Sequence, residues 1–171
     1  MSSCCIFGFF ELSHGRRVET ETKRADGSLV TTHHDYYETC VVCSDDVSMP
    51  AEIRKYAPPK HPILQDDTVA FVVAKLNVPT ATGPGSSGTV LIEAWHVVPM
   101  PGDPTSDDYN ASMPDFFRPL VLGLGIVAAS HDSLAGGAVT FPVTVFDYVR
   151  GGMKETAVRY VSVVYAPYLG S

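Results

Sequence analysis

The chain has 171 residues and a formal net charge of −7, with 45% hydrophobic and 18% charged residues. This length suits one domain, or one domain with an ordered extension, and such a chain needs no disulfides to fold. Its apolar runs fall well short of the roughly 18 residues that span a bilayer, so we expect no membrane association. The excess of acids is spread over both halves, and neither half offers a basic platform for phosphates.

The first ten residues, MSSCCIFGFF, are apolar but lack the basic start and the cleavage site of a secretory signal. We therefore expect an intracellular protein, in the cytoplasm or nucleus, without a signal peptide. In a reducing compartment the four cysteines would be thiols or metal ligands rather than disulfides. The apolar N-terminus also predicts burial in a core or in an interface between copies.

Residues 18–43 indicate two strands rich in β-branched and aromatic residues, joined at the turn sequence Asp26-Gly27. A hairpin is therefore predicted here. The following segment, residues 48–67, contains four prolines. It is predicted to be a connector with room for one helical turn between Pro50 and Tyr56, because the later prolines forbid more.

From residue 66 the pattern changes to long strands separated by glycine and proline. The predicted strands lie within residues 67–78, 89–100, 118–130, 138–149 and 156–167. No segment shows apolar spacing of helical period over three turns, and the best helical candidate, DYVRGGMKETA, is weakened by its two glycines.

The segment VLGLGIVAAS spells G-x-G-x-x-A with Gly123, Gly125 and Ala128, the fingerprint of many dinucleotide sites. Such a site needs a helix directly after the glycines. The interval before the next strand is too short for a crossover helix and is broken by Gly136 and Gly137. We therefore predict a strand, whose glycines mark a tight bend of the sheet or a close approach by another backbone.

Together these elements predict an all-β fold: a small OB-like Greek-key β-barrel with an N-terminal β-hairpin extension and at most short helices. We place the hairpin and the proline-rich connector in residues 1–65 and the barrel in residues 66–171, the two forming one compact domain. An open sandwich is the alternative.

The segment TFPVTVFDYVRGGMKETAVRYVSVVY resembles a recurrent segment in uncharacterised OB-fold-like proteins of mushroom-forming (basidiomycete) fungi, and PLVLGLGIV is similar to the strand that precedes it there. The likeness covers residues 66–166 and implies a barrel fold without an assigned activity. The residues that carry it are Phe141, Pro142, Thr144, Val145, Tyr148, Val149, Arg150, Met153 and Lys154.

Four cysteines form the candidate metal site. Cys40 and Cys43 make a C-x-x-C pair, and with Cys4 and Cys5 they could hold Zn²⁺ tetrahedrally. The β-branched residues between Cys40 and Cys43 instead favour a strand, on which the two sulfurs point to opposite faces. The default interpretation is that the cysteines are small buried apolar residues, and a redox pair is the remaining alternative.

No set of residues in the sequence points to one particular enzymatic reaction. Ser130, His131 and Asp132 are adjacent in sequence and cannot form a catalytic relay among themselves. Three aspartates in residues 103–108 could attract a hard cation, but they lack the spacing of a calcium loop. We therefore expect no enzymatic activity and no cofactor, with zinc as the exception left open.

Barrels of the OB type bind single strands through exposed aromatics and nearby cations. The alternative for Phe71 and Trp95 is that they fill the core. The candidate ligand-binding residues are Phe71, Lys75, Trp95, Arg150, Lys154, Arg159 and Tyr160.

The main functional hypothesis is a non-enzymatic binding module that acts through a protein partner or through self-association. The first alternative is a single-stranded nucleic-acid-binding protein, which the acidic net charge disfavours unless its cations are concentrated in one groove. The second alternative is a zinc-dependent or hydrolytic enzyme.

Overall fold

The computed structural model describes residues 3–44, 47–79, 88–114, 118–127, 132–133 and 138–163. Within these residues the only helical element is a 3₁₀ turn at Asn110–Ser112. No helix in this part of the chain is long and apolar enough to cross a membrane. The strands are β1 (Ser3–Lys23), β2 (Leu29–Ser44), β3 (Val47–Tyr56), β4 (Thr68–Asn77), β5 (Val90–Pro99), β6 (Leu120–Leu124), β7 (Ile126–Val127), β8 (Asp132–Ser133), β9 (Ala138–Val149) and β10 (Gly152–Val163).

Five of these strands close a barrel. Strand β1 pairs antiparallel with both β2 and β4, β2 pairs with β3, and β4 pairs with β5. The parallel pairing of β3 with β5 completes the circuit β1-β2-β3-β5-β4-β1. This is a Greek-key barrel of the OB type, so the predicted all-β, OB-like fold is confirmed.

The strands that build the barrel differ from those expected. The sequence placed the barrel in residues 66–171, whereas its five strands lie between Ser3 and Pro99. The apolar N-terminus is the first half of β1, and its alternate residues Cys4, Ile6, Phe10 and Leu12 are buried in the core. The apolar side chains of this segment are therefore accounted for by the alternating inward positions of a barrel strand, and no partner is needed to cover them.

The predicted hairpin is confirmed as the β1–β2 pair, which extends beyond the barrel as a two-stranded arm. The arm pairs Arg17 with Asp35 and continues to Lys23 and Leu29. Its turn contains Gly27 at φ +87°, a backbone conformation that glycine adopts without strain.

The predicted connector with a helical turn is wrong, because residues 47–56 form the barrel strand β3. Met49, Ala51 and Ile53 share the inward face, and Ile53 is fully buried. Pairing with β5 begins at Ala51. Pro50 is opposite Cys40 of β2 but lies one residue before the first β5 pair, so this part of β3 is a sheet edge, where proline is tolerated.

The glycine motif is confirmed as a strand that changes sheets at Gly125. Strand β6 pairs with the start of β1, and β7 pairs with β9 in a second sheet. A Cβ atom at Gly125 would collide with the carbonyl oxygen of Thr144 and lie 2.7 Å from Cγ1 of Val143. The chain therefore continues as a strand where a dinucleotide site would begin its helix, and Ala128 lies outside the described residues.

The best helical candidate of the sequence, DYVRGGMKETA, is instead the turn of the β9–β10 hairpin. Val149 pairs with Gly152, which leaves a two-residue loop of Arg150 and Gly151 at φ +51° and +80°. Positive φ at both positions is the geometry of a type I′ turn, which favours hairpins. The hairpin lies against the barrel, where Nδ2 of Asn77 donates to Oγ1 of Thr156 at 2.7 Å.

Candidate functional site

A β-bulge in β5 shapes the outer face of the barrel around Trp95. Ala74 pairs with Ala94 and Val73 pairs with His96, so Trp95 is an extra residue without a partner in β4. As a result Trp95 and His96 both face outward, and Val97 returns to the core. Bulges often redirect side chains next to functional sites.

Exposed aromatic rings surround Trp95 on neighbouring strands. Tyr56 of β3 and Tyr148 of β9 are each 58% exposed, and Trp95 is 49% exposed. All three line one groove of about 570 Å³, which we call the Trp95 groove. His34 of β2 extends this row of rings, since its ring meets that of Tyr56 edge-on with centroids 6.2 Å apart.

Positively charged side chains also line the Trp95 groove, and each has a carboxylate partner. Nε and Nη2 of Arg54 donate to Glu93 at 2.8 and 3.0 Å. Nζ of Lys75 donates to Oδ1 of Asp147 at 2.8 Å and to the carbonyl oxygen of Tyr148 at 3.3 Å. The groove is therefore polar and close to neutral rather than strongly basic.

Arg150 reaches from the β9–β10 turn to the barrel. Its guanidinium donates to Oε1 of Glu52 and, at 2.8 Å, to the carbonyl oxygen of the same residue. Arg16 contacts the other carboxylate oxygen of Glu52. The two guanidinium carbons lie 5.1 Å (Arg16) and 5.4 Å (Arg150) from the ring centroid of Tyr36, within the range of a cation–π interaction.

These contacts change the titration of the groups around the groove. Burial alone would raise the pKa of Glu52, but the hydrogen bonds from Arg150 and Arg16 outweigh it and lower that pKa. Burial, followed by the charge of Arg54, lowers the pKa of His34 below its usual 6.5. The His34 ring is therefore neutral at pH 7 and can contact an aromatic ligand.

The structure brings together three of the seven predicted ligand-binding residues: Lys75, Trp95 and Arg150 all line the Trp95 groove. The alternative that Trp95 fills the core is wrong, because half of its surface is exposed. Phe71 lies elsewhere on β4, where its ring is 5.3 Å from that of Phe9.

Three candidates are on β10. Lys154 is exposed, and its backbone lies opposite Asp147 in the register of the β9–β10 hairpin. Arg159 and Tyr160 belong to the same strand, but their side chains lie outside the described part of the chain.

Sequence reasoning missed Arg54, Tyr56 and Tyr148. Arg54 and Tyr56 were missed because residues 47–56 were not recognised as a strand. The segment does alternate, and this alternation could have revealed the strand. Ala51 and Ile53 are buried, whereas Glu52, Arg54 and Tyr56 face outward.

The four-cysteine zinc site is not formed. Cys4 is buried in the barrel, whereas Cys40 and Cys43 are exposed on β2, and all four cysteines are free. Burial, Cys5 and Asp147 raise the pKa of the Cys4 thiol to about 11, so the thiol is protonated at pH 7. In the described ranges no group of three or more His, Cys, Asp or Glu residues is arranged to hold a metal ion.

Asp103 of the acidic loop has a local role. Oδ1 of Asp103 accepts hydrogen bonds from the backbone and hydroxyl of Thr105 at 3.0 and 2.7 Å and stabilises a turn. Ser130 and His131 lie outside the described residues, as does the side chain of Asp132.

A larger cleft of about 1030 Å³ opens where β1 and β2 separate, on the N-terminal side of Ser13 and the C-terminal side of Glu38. Its polar wall contains Glu11, Glu38 and Glu52, and Nδ1 of His14 lies 3.1 Å from Glu38. None of the described residues that line this cleft is an arginine or a lysine, whereas Arg54, Lys75 and Arg150 line the Trp95 groove, so the groove is the better candidate for an anionic ligand.

No family model matches this chain, and no curated protein matches it. Among solved structures, the wild-type single-stranded DNA binding protein from Thermus aquaticus is 11% identical, with a TM-score of 0.48 over 93% of this chain and 73% of that chain. A deletion mutant of the same protein is also 11% identical, with a TM-score of 0.43 over 94% of this chain and 75% of that one. Likeness at this level carries no information about what this chain binds.

Proposed function

We propose that this chain is a non-enzymatic module that binds single-stranded nucleic acid in the Trp95 groove. The observation that carries the proposal is the exposure of Trp95 beside Tyr56 and Tyr148 on the outer face of an OB-type barrel. Aromatic rings in this position stack on bases, and each stacked base contributes about 1–3 kcal/mol.

The charges of the groove support binding dominated by stacking. Arg54, Lys75 and Arg150 line the groove, but each already has a carboxylate partner. These paired cations therefore neutralise few phosphates of the ligand, and few counterions are released from the nucleic acid. The affinity should then depend weakly on salt. This is how a chain with a net charge of −7 can bind a polyanion at all.

The test is fluorescence anisotropy of a labelled single-stranded oligonucleotide of about 12 nucleotides, within the site size of OB barrels. We expect Trp95→Ala to weaken binding about tenfold or more, because a stacking partner is lost. The matched control is Val98→Ala, an exposed residue of the same strand outside the groove, which should bind like the wild type.

Equal binding by the wild type and by Trp95→Ala would contradict the proposal, and so would an absence of binding at low salt. Displacement of the oligonucleotide by a neutral oligosaccharide at lower concentration would assign the groove to a different class of ligand.

Protein–protein interaction is the second candidate function, and a separate observation supports it. The apolar N-terminus that first suggested it is buried in β1. Exposed apolar side chains instead occur on β6, which pairs with the start of β1, and on β7 of the second sheet.

A further inference from the structure

Strands β6 and β7 carry an exposed apolar surface. Its five side chains are between 54% and 66% exposed, and none of them lines the Trp95 groove. Exposed apolar patches of this kind mark interaction sites. We call this surface the leucine edge; it consists of Leu120, Leu122, Leu124, Ile126 and Val127.

The β6 part of the leucine edge is also a free strand edge. In the part of the chain that the structure describes, β1 is the only strand that pairs with β6. Proteins usually protect such an edge with lysine, proline or a bulge. The sequence of β6, LVLGL, contains no charged residue and no proline, and its pairing with β1 is regular. Among the described residues, no strand pairs with the outer backbone groups of β6, which offer an edge to another strand.

The edge is complementary to itself. If two copies of β6 pair antiparallel about a two-fold axis at Leu122, Leu120 of each copy lies opposite Leu124 of the other. Residues in opposite positions share a face of the sheet, so six leucine side chains meet on the outer face. A two-fold interface requires this kind of self-complementarity.

Charge also favours a second copy at this place. Each chain carries a net charge of −7, so two copies repel each other at most of their surfaces. Contact costs least where neither copy presents a charge, and the residues of β1 that pair with β6, from Ser3 to Phe7, are uncharged as well.

We propose that the chain forms a two-fold dimer in which β6 pairs antiparallel with β6 of a second copy. The six-stranded sheet then continues across the interface as twelve strands, and the three leucines of β6 in each copy are covered.

Sedimentation equilibrium of the full chain tests this proposal. We expect a mass of about twice 18.4 kDa for the wild type. Leu120→Lys and Leu124→Glu should each weaken the dimer at least about tenfold, because each places an unpaired charge in an apolar interface. Leu29→Lys is the matched control, since Leu29 is 66% exposed on the β1–β2 arm, and it should leave the mass unchanged.

Mixing the two variants tests the register. In the proposed pairing a lysine at position 120 of one copy lies opposite a glutamate at position 124 of the other, so an equimolar mixture should regain the dimer mass as a heterodimer. A monomeric wild type would overturn the proposal. So would edge variants that dimerise like the wild type, or a mixture that associates no better than either variant alone.

Discussion

Trp95 shows how one extra residue changes a surface. Without the bulge, strict alternation along β5 would direct His96 to the core and leave Trp95 alone outside. The bulge exposes both neighbours and widens the polar-aromatic face beside Arg54. The sequence indicates a strand with a tryptophan here, but it cannot show which residue is extra, because that depends on the pairing with β4.

Arg150 combines an unfavourable backbone with favourable side-chain contacts. Its φ of +51° is costly for a residue with a Cβ atom, by about 1–3 kcal/mol. The side chain is only 15% exposed and donates to both the carboxylate and the carbonyl group of Glu52. The contacts to Glu52 therefore offset a strained turn and hold one wall of the Trp95 groove.

We expect Arg150→Ala to lower the free energy of unfolding by about 1.5–3 kcal/mol, because charge-assisted hydrogen bonds are lost while the backbone strain stays. Urea denaturation measures this change. The control, Arg24→Ala in the exposed turn of the β1–β2 arm, should alter it little. Equal losses in the two variants would show that the contacts of Arg150 do not stabilise the fold.

At the scale of elements, the β9–β10 hairpin is attached to the barrel by polar contacts around its turn. The ion pairs are Lys75–Asp147 and Arg150–Glu52, with the hydrogen bond from Asn77 to Thr156 beside them. For Asp147, as for Glu52, burial alone would raise the pKa. The contacts with Lys75, the Tyr148 backbone and Ser3 outweigh it and lower that pKa.

These lowered pKa values predict acid sensitivity. A carboxyl group whose pKa is lower in the folded chain contributes stability above its unfolded pKa of about 4, and this contribution is lost as the pH falls through the folded pKa. We expect the free energy of unfolding in urea to fall between about pH 5 and pH 3. The fall should be smaller in Glu52→Gln, which no longer titrates at that position.

Glu21→Gln is the control for this pH series, because Glu21 is an exposed residue of the β1–β2 arm. Its stability should follow the wild-type curve. If the curve of Glu52→Gln also parallels the wild type, the Arg150–Glu52 contact does not contribute to acid sensitivity.

Elements were predictable where their own periodicity was strong. Strands β4 and β5 match their predicted segments within one or two residues, as does the hairpin turn at Asp26 and Gly27. β3 was missed because Pro50 and the prolines that follow the strand suggested a connector. The β9–β10 turn was missed because its segment was considered as a short helix, although its two glycines weaken one. In both cases the deciding fact is a pairing with a strand far away in sequence.

At the scale of the whole molecule, the barrel class was predictable but its composition was not. Closure depends on the parallel contact between β3 and β5 and on β1 pairing along both edges, and no local pattern contains this information. The groove was found only in part for the same reason, since Tyr56, Trp95 and Tyr148 come from three separate strands. The fungal resemblance and the intracellular location stay predictions.

The chain contains a single tryptophan, so its own fluorescence reports on the groove. The most direct test of the account is a titration of the unlabelled wild-type chain with a single-stranded oligonucleotide, followed by Trp95 emission. Stacking of a base on Trp95 predicts saturable quenching that changes little between low and physiological salt. Binding of the oligonucleotide without any change in Trp95 emission would contradict the account, because the ligand would then lie outside the groove.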